Sequence, residues 1–116
     1  MDALHALTEE IRTFARERDW DQFHSPKNLS MALIAEAAEL LEHFQWTTEE
    51  QSYALDPAKF QAVKHEIADV FIYLVRLSDR LEIDLLAAAR EKLELNKKKY
   101  PADRVRGDAR KYSEYE

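Results

Sequence analysis

The sequence is poor in the residues that cross-link a chain or turn it sharply: it has no cysteine, one glycine and three prolines among its 116 residues. The lack of cysteine excludes disulfides, thiol nucleophiles and Cys-ligated zinc or iron–sulfur sites. β-Hairpins usually need glycine or Asn-Gly turns, so the scarcity of glycine favours long helices. We therefore predict an all-α protein. We also expect it in the cytoplasm, because nothing in the sequence requires an oxidising compartment.

Long uncharged apolar runs are also missing. No run is long enough to span a bilayer, and residues 1–13 lack the basic segment and the continuous apolar segment of a signal peptide. We therefore expect no membrane partner. The length of 116 residues suits one domain, 1–116, with a modest core.

The charge is unevenly distributed along the chain. The formal net charge is −6, yet residues 90–111 contain nine Lys or Arg against four Asp or Glu. This segment therefore carries an excess of five positive charges, and the rest of the chain is strongly acidic. An acidic body argues against a nucleic-acid polymer as ligand, because a phosphate backbone needs an extended basic face. A small anion remains compatible with the basic segment, which is otherwise a solvated helix end.

Apolar residues at helical spacing predict four helices. Ser25-Pro26 and Asp56-Pro57 each combine an N-cap residue with a proline at the first helical position, and Asp84 is a further N-cap. Pro101 ends the last helix, and the tail from about residue 103 has no clear period. The predicted helices are 3–18, 26–46, 57–81 and 85–99. The second is apolar nearly all round, which predicts that subunits associate.

Two acidic pairs stand out within the second and third predicted helices. They are Glu36-x-x-Glu39 and Glu66-x-x-Asp69. Residues three apart lie on the same side of a helix, so all four carboxylates can face a common space. Such crowding raises their pKa values unless a cation lies among them, and oxygen ligands suit a hard divalent metal.

Three interpretations of these acids remain open from the residues alone. They can be ordinary solvated acids, although their apolar surroundings fit that poorly. They can belong to a di-iron bundle, but the Glu-x-x-His motif of such bundles does not occur; His43 is better explained as a packing residue. Third, they can hold Mg²⁺ that meets the phosphates of a small molecule. No glycine-rich phosphate loop is present, so metal and basic side chains would hold those phosphates.

The acidic pairs and their flanks resemble a known family. Their spacing is similar to the signature of the all-α nucleoside triphosphate pyrophosphohydrolases, the MazG-like superfamily, and the flanks are similar to its dCTP pyrophosphatase branch. The flanking segments that carry this resemblance are residues 17–29, 44–46, 69–75, 96–101 and 106–107.

The resemblance implies a four-helix MazG-like bundle that assembles into a dimer or, more in keeping with the family, a homotetramer. It implies Mg²⁺-dependent hydrolysis of a nucleoside triphosphate such as dCTP or a modified dCTP to the monophosphate and pyrophosphate. Glu36, Glu39, Glu66 and Asp69 would be the catalytic and metal-binding residues. The substrate-binding residues would be Trp20, His24, Trp46, Tyr73, Asn96 and Lys99, with Lys27 and Arg106 as weaker candidates.

Alternatives to this assignment exist at two levels. Trp20 and Trp46 can instead be core or interface anchors. The chain can also be a broad-specificity MazG-type pyrophosphatase or, outside enzymes, a non-catalytic helical assembly module. The sequence leaves open the preferred base, the number of metal ions and the acid that serves as general base. It also leaves open which subunit contributes Asn96 and Lys99.

Overall fold

The computed structural model describes residues 2–109, which divide into two compact units between Ile83 and Asp84. All regular structure in this range is helical, so the all-α prediction is confirmed for it. The single-domain and four-helix predictions stay predictions. The first unit contains α1 (Ala3–Glu17), a 3-10 turn (Asp21–Phe23), α2 (Pro26–Glu42), α3 (Glu49–Ser52) and α4 (Pro57–Arg80). The second unit contains α5 (Leu85–Lys99) and α6 (Ala102–Val105).

The starts of the long helices follow their capping residues. The side chains of Ser25, Asp56 and Asp84 each accept a hydrogen bond from the backbone N–H three residues further on, at 3.1, 2.8 and 3.0 Å. Pro26 and Pro57 occupy the first turns of α2 and α4. A cap of this kind satisfies a backbone donor that the helix itself leaves unpaired. The predicted starts are therefore confirmed.

α1 and α4 both end in a left-handed residue that is not glycine. Asp19 has a φ of 55° and Glu82 a φ of 57°. After α1, the Trp20 N–H donates to the Ala15 carbonyl at 2.9 Å, which is the hydrogen bond of a Schellman motif. The chain therefore reverses sharply after α1. The Trp20 ring then meets the Phe14 ring edge-on, with 5.6 Å between centroids.

The predicted end of α2 at residue 46 was wrong, because α2 ends at Glu42. The Phe44 N–H donates to the Leu41 carbonyl at 2.8 Å, a tighter pattern than the α-helical one. The Thr47 hydroxyl then donates to the Phe44 carbonyl at 2.8 Å, which competes with helix continuation. Residues 43–46 thus form turns, and the expected connection 47–56 contains α3. The tail from about residue 103 was expected to be irregular, but residues 103–105 belong to α6. Residues 110–116 of that tail lie outside the described range.

The packing of the first unit is centred on α4, which lies against α2 and α1. Its buried apolar residues are few: Ala15, Leu29, Val63 and Val75. Many large apolar side chains on α2 and α4 are exposed instead. Among them are Met31, Ile34, Leu41, Phe60, Ile67 and Phe71. Within residues 2–109, no helix has both the length and the apolar character that crossing a membrane requires.

Candidate functional site

Three of the four predicted acids converge between α2 and α4. Glu36, Glu39 and Glu66 each offer a carboxylate oxygen, and these three oxygens lie within 4.8 Å of one another. Glu36 and Glu39 are neighbours on one helix face because they are three residues apart. Glu66 comes from the facing helix, so the packing of α4 on α2 completes the group. We call these three residues the acidic cluster.

The acidic cluster is electrostatically strained in the absence of a cation. Partial burial, reinforced by hydrogen bonds to and repulsion from Glu66 and Glu39, raises the pKa of Glu36 from 4.5 to about 7. Burial disfavours the charged form of a carboxyl group, and so does a neighbouring negative charge. Near neutral pH the cluster therefore carries less than its full negative charge unless a positive charge enters it.

One oxygen of the acidic cluster has no protein partner. Oε2 of Glu66 is buried and accepts no hydrogen bond. A buried acceptor without a partner is costly, and a bound cation is one way to satisfy it. The atoms of the acidic cluster that could bind a metal are all carboxylate oxygens, which Mg²⁺ and other hard divalent ions prefer as ligands. The residues present therefore fit a hard divalent metal.

Asp69 and Tyr73 lie one and two turns further along α4. Asp69 is exposed and does not join the group of oxygens within 4.8 Å. Tyr73 is half-buried, and burial followed by the negative charges of Glu36 and Asp69 raises the pKa of its hydroxyl. Tyr73 thus lies within electrostatic range of the acidic cluster, which fits its position seven residues after Glu66 on the same face of α4. The role of Asp69 as a fourth ligand stays a prediction.

Trp20 and His24 are held by contacts with α1 and α4. The two rings meet edge-on with centroids 6.2 Å apart. The Nε of Arg76 donates to Nδ1 of His24 at 3.1 Å, and Arg80 donates to the His24 carbonyl at the same distance. Burial, followed by the charge of Arg76, lowers the pKa of His24. The imidazole is therefore neutral at physiological pH.

The network around Arg76 was not predicted from the sequence. This side chain is buried, and it donates to Asp21 at 2.6 Å and to Asp79 at 3.5 Å. Asp79 in turn accepts a hydrogen bond from Arg12 of α1 at 3.0 Å. Arg76 follows Asp69 by seven residues and Tyr73 by three, so the helical period places it on the same face of α4 as these residues. A cation on a packed helix face needs a partner, and that was the available signal.

The contacts described above do not include the remaining predicted residues. Trp46 follows α2 in the turn region and is 88% exposed. Asn96 is half-buried on α5, and Lys99 is its last residue, with Nζ 5.9 Å from the Tyr100 ring centroid. Both belong to the second unit, so their approach to the acidic cluster stays a prediction. Lys27 is exposed at the start of α2 and Arg106 follows α6.

His43, which the sequence analysis explained as a packing residue, joins the end of α2 to the start of α4. Its Nδ1 lies 3.2 Å from Nζ of Lys59. Among residues 2–109, the group that could hold a metal ion does not include His43. Its packing role stays a prediction.

Several known proteins are similar to this chain. Residues 32–115 match the model of the MazG-like family. The chain is 45% identical over 103 residues to human dCTP pyrophosphatase 1 and 46% identical over the same length to the mouse protein, covering 87% of this chain. It spans only 61% of the length of these curated relatives.

A solved structure extends the comparison to the fold. The crystal structure of a pyrophosphatase from Archaeoglobus fulgidus is similar with a TM-score of 0.82 and 39% sequence identity. The match covers 87% of this chain and 94% of that one. Its coverage is long enough, and its identity high enough, to show more than a shared helical architecture. Together with the family model and the acidic pairs on facing helices, it shows that this chain belongs to the MazG-like family.

Proposed function

We propose that the chain is a nucleoside triphosphate pyrophosphohydrolase that acts on dCTP or a modified dCTP. The observation that carries this proposal is the acidic cluster, with its buried, unpartnered Glu66 oxygen, in a chain of the MazG-like family. The names of the mammalian relatives support the substrate, and the name of the archaeal structure supports the reaction. We expect the reaction to take place in the cytoplasm, where nucleotide pools are maintained.

Mg²⁺ is the proposed metal, held by Glu36, Glu39 and Glu66 with Asp69 as the fourth candidate. When bound, Mg²⁺ would supply the positive charge that offsets the negative charge of the phosphate oxygens. A carboxylate that is free of the metal can orient the attacking water and accept its proton. The water oxygen then bonds to a phosphorus atom of the α–β linkage, the bridging P–O bond breaks, and pyrophosphate leaves the monophosphate.

The nucleoside is proposed to bind among aromatic side chains. Trp20, Trp46 and Tyr73 offer faces and edges against which a planar pyrimidine can stack, and His24 adds a hydrogen-bonding ring. The half-buried position of Tyr73 near the acidic cluster and the fixed Trp20–His24 pair support this assignment.

The phosphates are proposed to meet the basic end of α5. Asn96 and Lys99 would contact them from their own or a neighbouring subunit. Three lysines fill the last turn of α5 and Asn96 lies one residue before them, so donors and positive charge are concentrated there. The sequence contains no glycine-rich loop that could bind the phosphates instead.

The enzyme is proposed to be a homo-oligomer, a tetramer in preference to a dimer. Ile34 and Leu41 of α2 are 68% and 61% exposed, and Phe60 and Ile67 of α4 are 59% and 53% exposed. Each pair is seven residues apart and so lies on one face of its helix. Exposed apolar residues repeated along one helix face are typical of subunit interfaces. The same residues would complete a helical bundle across subunits.

The reaction is tested by product analysis. The purified chain is incubated with Mg²⁺ and dCTP, and the phosphorus NMR spectrum is followed over time. We expect signals of dCMP and pyrophosphate to rise together. Release of orthophosphate with dCDP would contradict the proposed cleavage position.

The preferred base is tested with a panel of nucleoside triphosphates. dCTP, 5-modified dCTP analogues, dUTP, dTTP and the purine triphosphates are compared by kcat/KM under the same conditions. A clear preference for cytosine supports the dCTP assignment. Equal turnover of all bases would replace it with the broad-specificity MazG-type activity.

A further inference from the structure

Arg76 is the buried centre of a polar network that surrounds the Trp20–His24 segment. Its side chain is only 3% exposed, and each of its three nitrogens has a partner. Nε donates to Nδ1 of His24 at 3.1 Å, Nη2 to Asp21 at 2.6 Å, and Nη1 to Asp79 at 3.5 Å. A buried guanidinium with all nitrogens engaged is held rigidly, and it holds its partners in turn.

The contact with Arg76 determines where the His24 proton lies. Arginine stays protonated in proteins, so its Nε can only donate a hydrogen bond. Nδ1 of His24 must therefore accept, and the single proton of the neutral ring lies on Nε2. Within residues 2–109, Nε2 has no hydrogen-bond partner. The ring thus keeps one donor for a ligand.

The charges around the imidazole keep it neutral. Arg76 and Arg80 of α4 lower its pKa after burial does, whereas Asp21 of the 3-10 turn raises it. The α1 side contributes the Trp20 ring, in contact with Phe14, and these carry no charge. Two cations and one anion therefore face His24, and a proton on Nδ1 would also lose the hydrogen bond from Arg76.

Arg80 fixes the backbone of the same segment. It donates from Nε to the His24 carbonyl at 3.1 Å and from Nη2 to the Asp21 carbonyl at 3.4 Å. α4 therefore holds the segment twice: Arg80 through the main chain and Arg76 through the side chains. Of these two arginines, Arg76 alone donates a hydrogen bond to the imidazole ring itself.

We propose that Arg76 is a positioning residue of the nucleotide pocket, which holds His24 as a neutral ring with its Nε2–H directed to a hydrogen-bond acceptor of the nucleotide. The identity of the ligand rests on the proposed function. The relation between Arg76 and His24 does not, and it can be measured in the free protein.

The first test is the protonation of His24 in the wild-type chain without nucleotide. Long-range ¹H–¹⁵N correlation spectra distinguish the protonated from the unprotonated ring nitrogen, and His24→Gln assigns the signals among the four histidines. We expect Nε2 protonated and Nδ1 unprotonated, with a titration midpoint below that of an ordinary histidine. A proton on Nδ1, or an ordinary midpoint, overturns the proposal.

Variants then separate Arg76 from its surroundings. Arg76→Met removes the charge and the donor, and Arg76→Lys keeps the charge without the planar fork. We expect the His24 midpoint to rise in Arg76→Met, because Asp21 remains, and the single tautomer to be lost in both variants. Arg12→Met is the matched control, since it breaks the other arginine contact of Asp79 without touching His24. Unchanged His24 spectra in both Arg76 variants, or the same change in Arg12→Met, overturn the proposal.

Kinetic measurements test whether the contact between Arg76 and His24 affects nucleotide binding. We expect Arg76→Lys, with its helical circular dichroism intact, to raise KM about tenfold and to change kcat less than about threefold, because a binding contact is lost. An unchanged KM would overturn the link to the nucleotide. Absence of turnover in the wild type would refute the proposed function and leave the NMR result standing.

Discussion

Glu36 on α2 and Glu66 on α4 place carboxylate oxygens within 4.8 Å of each other across a helix–helix contact. Their proximity helps to raise the pKa of Glu36 to about 7, while Oε2 of Glu66 remains buried without a partner. Two like charges at this distance oppose the packing that brings them together. The contact therefore lowers the free energy of unfolding of the protein without a cation, and a bound cation would remove this repulsion.

Removing one carboxylate of the acidic cluster should abolish most of the activity and leave the fold intact. We expect Glu39→Gln and Glu66→Gln each to lower kcat/KM by about 100-fold or more, because a metal ligand is lost. Steady-state pyrophosphate release measures the effect. Asp69→Asn tests the fourth ligand in the same assay.

The matched control for these variants is Glu42→Gln, which changes an exposed acid on the same helix outside the acidic cluster. Its kcat/KM should stay close to that of the wild type. Wild-type rates in Glu39→Gln and Glu66→Gln would show that the acidic cluster is not the catalytic centre.

The stability of the metal-free protein should fall as pH rises. The pKa of Glu36 is about 7 in the folded state and 4.5 as the ordinary value, so the folded state binds more protons between these values. The free energy of unfolding then decreases from about pH 4.5 to about 7 and levels off above that range. Urea titrations in the presence of a chelator measure this slope. In Glu36→Gln the slope over this interval should be smaller; an equal slope would assign it to other groups.

Metal and nucleotide together should stabilise an active site. A non-hydrolysable dCTP analogue with Mg²⁺ at about 100 times its Kd should add about 2.7 kcal/mol to the free energy of unfolding. Thermal melts with the metal alone, the analogue alone and both measure the coupling. The melting temperature of a non-catalytic assembly module would not change with the analogue, whether or not the metal is present.

A charge on the exposed apolar face should dissociate the proposed oligomer. Ile34→Glu or Ile67→Glu places a carboxylate where we expect a dry interface, and burying such a charge is strongly unfavourable. Light scattering after size-exclusion chromatography measures the mass. Gln61→Glu introduces the same side chain at an exposed position on another side of α4 and should keep the wild-type mass. If the wild type is a monomer, the interface prediction is wrong.

The turn that carries Trp20 should depend on the left-handed residue before it. Asp19 has a φ of 55°, which a β-branched residue adopts only with strain. We expect Asp19→Val to destabilise the fold by about 1 to 2 kcal/mol, and Asp19→Gly to be close to neutral. Urea denaturation followed by tryptophan fluorescence in a Trp46→Phe background reports on Trp20. Equal stability of both variants would contradict the role of the turn.

The local features of this protein could be predicted from its sequence. Ser25, Asp56 and Asp84 mark the helix starts, because a cap acts on backbone groups only a few residues away. The pairing of Glu36 with Glu39 on one helix face follows equally from the helical period. The absence of glycine-rich turns was enough to predict the all-α class. The end of α2 was predicted wrongly, because the hydrogen bond from the Thr47 hydroxyl to the Phe44 carbonyl ends the helix. The spacing of apolar residues gives no sign of such a bond.

The relations between distant segments were decided by the tertiary structure. Which acids share a space depends on the register of α4 against α2, and that register brings Glu66 to the acidic cluster while Asp69 stays exposed. The burial of Arg76 depends on the chain reversing at Asp19, which carries Asp21 and His24 back onto α4. The spacing of residues along the sequence does not predict such contacts, because they depend on long-range packing. The sequence by itself therefore determined the starts of the long helices and the candidate acids, and only the packing decided which of those acids meet.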